Sequence, residues 1–245
     1  MKILPFLLLL ILTGIGNVYS QDTISFSKEG VFTDARDGHV YKTIKLGDQV
    51  WMAENLAFLP TVSPSKSAST FNSLYYVYQY EGNDVNYAKT TEAYSAFGVF
   101  YNWPAAKKAC PEGWHLPNDS DWKQLTDFLS NNGYDYGGEK GQNGKALASK
   151  EGWVASTMIG PRPYHIGSNL SENNSSGFNA LPAGRRSDGG GFAPHGVIAF
   201  FWSATEKDNA VAYVWHLMTL NTCLVHDDKG QFEAIGNSVR CIKDK

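Results

Sequence analysis

Gly98-Val99-Phe100-Tyr101-Asn102-Trp103-Pro104-Ala105-Ala106-Lys107-Lys108-Ala109-Cys110-Pro111-Glu112-Gly113-Trp114-His115-Leu116-Pro117-Asn118-Asp119-Ser120-Asp121-Trp122 is the stretch that decides how the rest of the chain is read. Its first half reads as a short helix ended by Pro111, and its second half opens another helix after Pro117. Asn118 stands three residues before Asp121, so its side chain can accept from a first-turn amide while the Asp121 carboxylate reaches back to the cap. Acidic groups there also suit the positive end of the helix dipole. Trp122, Leu125, Phe128 and Leu129 follow on one apolar face, and Asn131-Asn132-Gly133 supplies stop chemistry, which predicts an end near Ser130. The link between the two helices carries Cys110 and Trp114.

Upstream, residues 24 to 35 read as an irregular lead-in. From Asp37 to Leu56 the chain alternates Val40, Lys42, Ile44 and Leu46 with Tyr41, Thr43 and Lys45, turns at Gly47-Asp48 and continues into Gln49-Val50-Trp51-Met52, the pattern of a hairpin. Pro60 to Ser69 reads as a polar, exposed insertion. Tyr75 to Tyr80 is expected to be a short strand with Tyr76, Tyr78 and Tyr80 on one side. That tyrosine row can stack on sugar rings or pack over the neighbouring helix, and burial is the usual fate of such side chains.

Downstream, Lys145 to Ser149 fits a short helix or turn that packs Leu147 and Trp153. Residues 168 to 196 are dominated by Asn, Ser and Gly, and so long an irregular region in a compact domain usually binds or covers something. Strands are expected over 198–202, 210–220, 222–226 and 239–243, with a turn at Asp227-Asp228-Lys229-Gly230. Helices in the middle, a first hairpin and late strands give an α+β class.

The N-terminus has a basic start, an apolar run from Ile3 to Leu12, and Val18-Tyr19-Ser20 before Gln21. This is the form of a cleaved secretory signal over residues 1–20. Thr13-Gly14 interrupts the run too early for a membrane-spanning anchor. The expected organisation is therefore a signal peptide (1–20), an irregular lead-in (21–36) and one domain (37–245), secreted, periplasmic or on the cell surface. A formal net charge of −3 without a basic run makes nucleic acid an unsuitable partner.

Reactive signatures are sparse. The six histidines show no i, i+4 pair, and neither Cys-x-x-Cys nor Gly-x-Ser-x-Gly occurs. Gly141-Gln142-Asn143-Gly144-Lys145 lacks the first Gly and the final Ser or Thr of a phosphate loop. Late-loop oxygens from Glu172, Asn173, Asn174, Asp188, Glu206, Asp208, Asn209, Asp227 and Asp228 could in number suit calcium. Solvated carboxylates are the preferred reading, so no metal and no cofactor is expected.

The run Ala109-Cys110-Pro111-Glu112-Gly113-Trp114-His115-Leu116-Pro117 is followed by Gly177-Phe178-Asn179-Ala180-Leu181-Pro182-Ala183-Gly184, Phe201-Trp202-Ser203-Ala204-Thr205-Glu206 and Ser238-Val239-Arg240-Cys241-Ile242. With Asp37-Gly38-His39-Val40-Tyr41 and Gln49 to Leu56 ahead of them, these blocks resemble the Fibrobacter succinogenes major paralogous domain family over roughly residues 31 to 245. The resemblance implies a C-type lectin-like fold related to sulfatase-modifying factors: two helices packed on a mostly antiparallel twisted sheet, with long loops on one side. It implies a disulfide from Cys110 to Cys241, which leaves Cys223 as a buried thiol. It also implies a secreted or cell-surface, non-catalytic binding or adhesion module for glycan or protein. The alternatives are an enzyme on the sulfatase-modifying-factor variant of the fold, or a structural envelope protein. Within the late loops, Arg185 and Arg186, with Asp188 and Glu206 beside them, are the candidate ligand-binding residues, because a guanidinium can grip a carboxylate by two parallel hydrogen bonds. A salt bridge to Asp188 or Glu206 is the competing use of either arginine.

Overall fold

The computed structural model describes residues 27–155 and 162–245, with side chains from residue 30 onward. The expected leader and the first part of the lead-in lie outside the described residues. In chain order the first half holds β1 (Ser27–Thr33), β2 (Val40–Leu46), β3 (Gln49–Met52), β4 (Tyr75–Tyr76), α1 (Val85–Lys89), α2 (Glu92–Phe97), β5 (Phe100–Tyr101), α3 (Trp103–Ala109), β6 (Trp114–His115) and α4 (Asp119–Asn131). The second half holds α5 (Gly144–Leu147), β7 (Ile198–Asp208), β8 (Val211–Met218), β9 (Val225–His226), β10 (Gln231–Phe232) and β11 (Ile242–Lys243).

The class is α+β, with antiparallel sheets and, among the described residues, five α-helices in place of the expected two. A five-stranded sheet runs β1-β2-β3-β11-β6, and a second is built from β10, β8 and β7, with β9 also on β8. Ile198 to Trp202 is apolar without alternation because both faces of β7 are covered. Phe200 and Trp202 enter one core cluster with Tyr41, Met52 and Trp103, while Ala199 and Phe201 enter another with Trp51, Trp122 and Phe178. The period of two along a strand thus joins the two halves of the core.

The helix start read from Asn118 is present in full. The Asn118 side chain accepts from Ser120 N and Asp121 N, and the Asp121 carboxylate accepts from Asn118 N at 2.9 Å. α4 buries Trp122, Leu125 and Leu129. The acidic first turn also binds tertiary partners: Asp119 accepts from Trp215 Nε1 at 2.9 Å and lies 3.2 Å from His226 Nε2. Cys110, at the end of α3, is bonded to Cys241 beside β11.

Three expectations are corrected. Residues 27–33 are an edge strand rather than part of an irregular lead-in, so the domain extends upstream of Asp37; the backbone pairs along all of β2, whereas the sequence Ser-Lys-Glu-Gly-Val-Phe-Thr shows no alternation. Pro60 to Ser69 is not simply exposed, since Ser65 is only 3% accessible and its carbonyl is taken by a buried guanidinium. The strand at Tyr75 stops after Tyr76, because Gln79 turns with φ 56°; Tyr76 and Tyr78 are buried, the packing outcome for the tyrosine row.

The irregular region 168–196 is likewise partly core. Phe178 lies against Trp51 and Trp122. Arg240 fixes this segment from beneath: its fully buried guanidinium donates to Phe178 O, to Asn179 O at 2.9 Å, to Met52 O at 3.2 Å and to Asn55 Oδ1 at 3.0 Å. Burial lowers its pKa to about 9, with Glu54 pulling the other way, so at neutral pH it remains a cation. Lys145 moors the preceding loop through the carbonyls of Ser168 and Asn169.

Candidate ligand-binding site around Arg185

The two adjacent arginines have opposite fates. Gly184 bridges to Ala199 on one side and Arg186 to Gly236 on the other, and the two arginine side chains part, Arg185 lying over Phe200 and Arg186 over Tyr76. Arg186 is 0% exposed and donates to Ser65 O at 2.8 Å, Ser67 O at 2.7 Å and Ala234 O at 2.7 Å, with Tyr76 under its guanidinium at 4.9 Å. It is a structural cross-brace. Its expected role as a ligand-binding residue is corrected: the side chain is buried and each of its three nitrogens already donates to a protein carbonyl.

Arg185 is half-buried, and its guanidinium lies 4.7 Å from the centre of the Phe200 ring. Among the described residues no hydrogen bond or ion pair engages that guanidinium. Burial lowers its pKa from the ordinary value, while Asp188 and Asp227 pull it back up. Asp188 is exposed on the neighbouring loop tip, where its carboxylate accepts from Gly189 N at 2.8 Å. Glu206 is exposed on the outer part of β7, and its electrostatic influence falls on Glu233. Of the four residues expected at the site, the fold brings only Arg185 and Asp188 into electrostatic reach of each other.

The cavity in front of Arg185 has a volume of about 310 Å³ and is completed by Val211, Asp227, Lys229, Gly230, Phe232 and Ile235, with Gln231 at its edge. β9 and β10 both pair with β8, so the turn Asp227 to Gly230 is an outward loop within one broken strand. That loop carries Asp227 and Lys229 to the rim, and Lys207 Nζ ties it down through Asp228 O at 2.8 Å and Lys229 O at 2.9 Å. Gly230 has φ 66°, and a Cβ there would meet Val211 Cγ1 at 2.7 Å, so the close approach needs glycine. Phe232 offers an apolar face at 58% exposure. His216 lies at the inner side against Phe200, at a ring separation of 5.6 Å. Its buried Nδ1 has no hydrogen-bond partner among the described residues. Burial lowers its pKa, Arg185 adding to the fall and Asp227 opposing it, so it is neutral at physiological pH.

Sequence reasoning placed Asp227 in a turn and among the late-loop oxygens that could suit calcium, placed Lys229 only in that turn, and gave Phe232 no role. The available signal was a charged Asp-Asp-Lys-Gly tip followed at once by Gln-Phe, but nothing local says that β9 and β10 share one partner strand. Chemically the cavity can fork a carboxylate with Arg185, accept hydroxyl protons at Asp227 and offer Phe232 to an apolar ring face. Cys223 lies elsewhere. It lines a separate cavity of about 310 Å³ with Thr126, Ser130, Lys140 and Trp215, to which neither bridged cysteine contributes, and burial raises its thiol pKa. Among the described residues no group of three or more His, Cys, Asp or Glu is arranged to hold a metal ion.

The Fibrobacter succinogenes major domain profile matches residues 44–243. The chain belongs to that family. The matched span of this Fibrobacter succinogenes major domain includes both bridged cysteines, Arg240 and the whole Arg185 cavity. No curated protein and no solved structure matches the chain.

Proposed function

We propose that this Fibrobacter succinogenes major domain is a non-catalytic binding module working outside the cytoplasm, and that it takes a carboxylate-bearing glycan at the Arg185 cavity. One observation carries this reading: among the described residues no acceptor engages the half-buried guanidinium of Arg185, whereas Arg186 and Arg240 spend theirs on buried oxygens. A polar group held part-way out of water without a partner forgoes stability that an external acceptor can restore. The Phe200 ring and the flanking strands fix the fork in advance, which lowers the ordering cost of binding. The compartment rests on the leader-like N-terminus and on the Cys110–Cys241 bridge, since such bonds persist under oxidising conditions. A C-type lectin-like scaffold fits the same bridge, which joins a helix end to the last strand.

The test is calorimetric titration with oligogalacturonate, with sialyl-lactose, and with their neutral counterparts maltotriose and lactose. The acidic ligands should bind and the neutral ones should not. Arg185→Ala should weaken binding by at least about tenfold, equivalent to ~1.4 kcal/mol, and raised salt should weaken it further. A chelator should leave it unchanged. Equal binding of neutral ligands, or full affinity in Arg185→Ala, would overturn the proposal.

A further inference from the structure

Lys145 stands where lysines are seldom found, with a side chain only 2% accessible on the short helix α5 and with Ala146 and Leu147 buried beside it. Burial lowers its pKa from the ordinary value, while Glu172 pulls it back up. Its Nζ donates to the carbonyl of Ser168 and, at 3.2 Å, to that of Asn169. An ammonium has three protons, so one is left for two further side chains. Glu172 Oε2 is 3.5 Å from Nζ, and Asn173 Oδ1 is 3.4 Å from it.

Asn173 is held as firmly as the lysine. It is 1% exposed, and its Nδ2 donates to Ser149 O at 3.0 Å and to Ile166 O at 3.2 Å, which fixes the carboxamide with its oxygen toward Lys145. The backbones are clamped too, since Asn174 N donates to Lys145 O at 2.8 Å. The carboxamide carbon lies one C=O bond, about 1.23 Å, beyond Oδ1, within reach of the flexible lysine end. An amine and an acyl carbon kept side by side in the interior have the high effective concentration of an intramolecular reaction. The burial of Nζ also favours its neutral, nucleophilic form.

We propose that Lys145 and Asn173 condense into a side-chain amide, with Glu172 as the proton carrier. Glu172, whose side chain is 41% exposed, takes the third proton of the ammonium and leaves a neutral amine with a free lone pair. The amine attacks Asn173 Cγ, and the Nζ–Cγ bond forms. One amine proton passes to Nδ2, the Cγ–Nδ2 bond breaks and ammonia leaves. It takes up the proton held by Glu172, so the carboxylate is restored and ammonium departs. One ammonium side chain and one carboxamide thus become one secondary amide and one ammonium ion, with no oxidant or other co-reactant. The new bond spans a separation of 28 residues and staples the 168–174 loop to α5. It forms once per chain and consumes no external substrate, so it stands apart from the Arg185 reading.

The experiment is tandem mass spectrometry of the full chain, purified folded and then reduced, denatured and digested with trypsin. Cleavage after Lys145 should be absent. The fragment carrying Lys145 should be joined to the one carrying Asn173, with a combined mass lower by one ammonia, about 17 Da. Placing the loss within this branched peptide separates it from cyclisation of an N-terminal glutamine. Glu172→Gln keeps both partners and changes a partly exposed side chain; it should retain the circular dichroism of the parent and yield the two fragments separately, which loss of a merely structural contact would not produce. The parent digest decides the bond whether or not that variant folds. Separate fragments from the parent would overturn the proposal, and full joining in Glu172→Gln would overturn the role given to Glu172.

Discussion

Replacing Arg186 and Arg185 separately by alanine should produce very different losses, although the two residues are adjacent. Arg186 donates to three carbonyls, Ser65 O, Ser67 O and Ala234 O, at 2.7 to 2.8 Å. Hydrogen bonds to a charged group are worth roughly 1.5–3 kcal/mol each. Their plain sum overstates the loss, because Tyr76 Oη also donates to Ser67 O at 2.8 Å and keeps that carbonyl satisfied. The other two carbonyls are left in the interior beside the space vacated by the side chain. The expected loss in Arg186→Ala is about 3–5 kcal/mol, a large part of a stability that is ordinarily 5–15 kcal/mol. Arg185→Ala removes the contact over Phe200, worth about 0.5–1 kcal/mol, and the solvent-screened attraction of Asp188 and Asp227, which adds little. Urea unfolding followed by tryptophan fluorescence measures both. A loss below about 1 kcal/mol in Arg186→Ala, or equal losses in the two variants, would refute the division into one structural and one ligand-facing arginine.

Two further predictions concern stability. The Cys110–Cys241 bridge closes a separation of 131 residues, worth roughly 5 kcal/mol in the chain-entropy model, so the Cys110→Ala/Cys241→Ala variant should lose about 2–5 kcal/mol in the same assay; unreduced peptide mapping should show this pairing, and a Cys223 linkage would contradict it. Burial raises the Glu233 carboxyl above its ordinary pKa of 4.5, Lys107 pulling it back and Glu206 adding to the rise. A raised folded pKa means that the native state binds the extra proton, so this contribution is present below pH 4.5 and is lost as pH rises through the raised value. Glu233→Gln should therefore melt higher than the parent at pH 7 and lose that advantage below pH 4.5, whereas a lower melting temperature at pH 7 would contradict the sign.

The parts legible in the sequence are those whose causes are local. Asn118 and Asp121 hold both ends of a capping box within four residues, and α4 is long enough for Trp122, Leu125 and Leu129 to show a period. α1 and α2 have good caps in Asp84 and Thr91, but five and six residues are too few for periodicity to register. The fate of Arg186 is set by Ser65, 121 residues away in sequence, and that of Phe178 by Arg240, 62 residues away, so composition alone makes both segments look like loop. Arg185 was identifiable as a candidate, but not as the arginine of its pair that remains available. Asp227 and Phe232 join it only because β9 and β10 share one edge of β8, a pairing that no local pattern announces. The bridge between Cys110 and Cys241 was implied by the family resemblance, since spacing alone cannot choose among three cysteines.

The most direct measurement is nitrogen-15 NMR of the arginine Nε–Hε groups while oligogalacturonate is added to the intact protein. Arg185, half-buried and without an acceptor among the described residues, should shift in proportion to occupancy, while Arg186 and Arg240, fixed on buried oxygens, should stay in place. An Arg185 resonance that does not move at saturating ligand, or a shift centred on Arg186 or Arg240, would contradict a carboxylate-binding role for the Arg185 cavity.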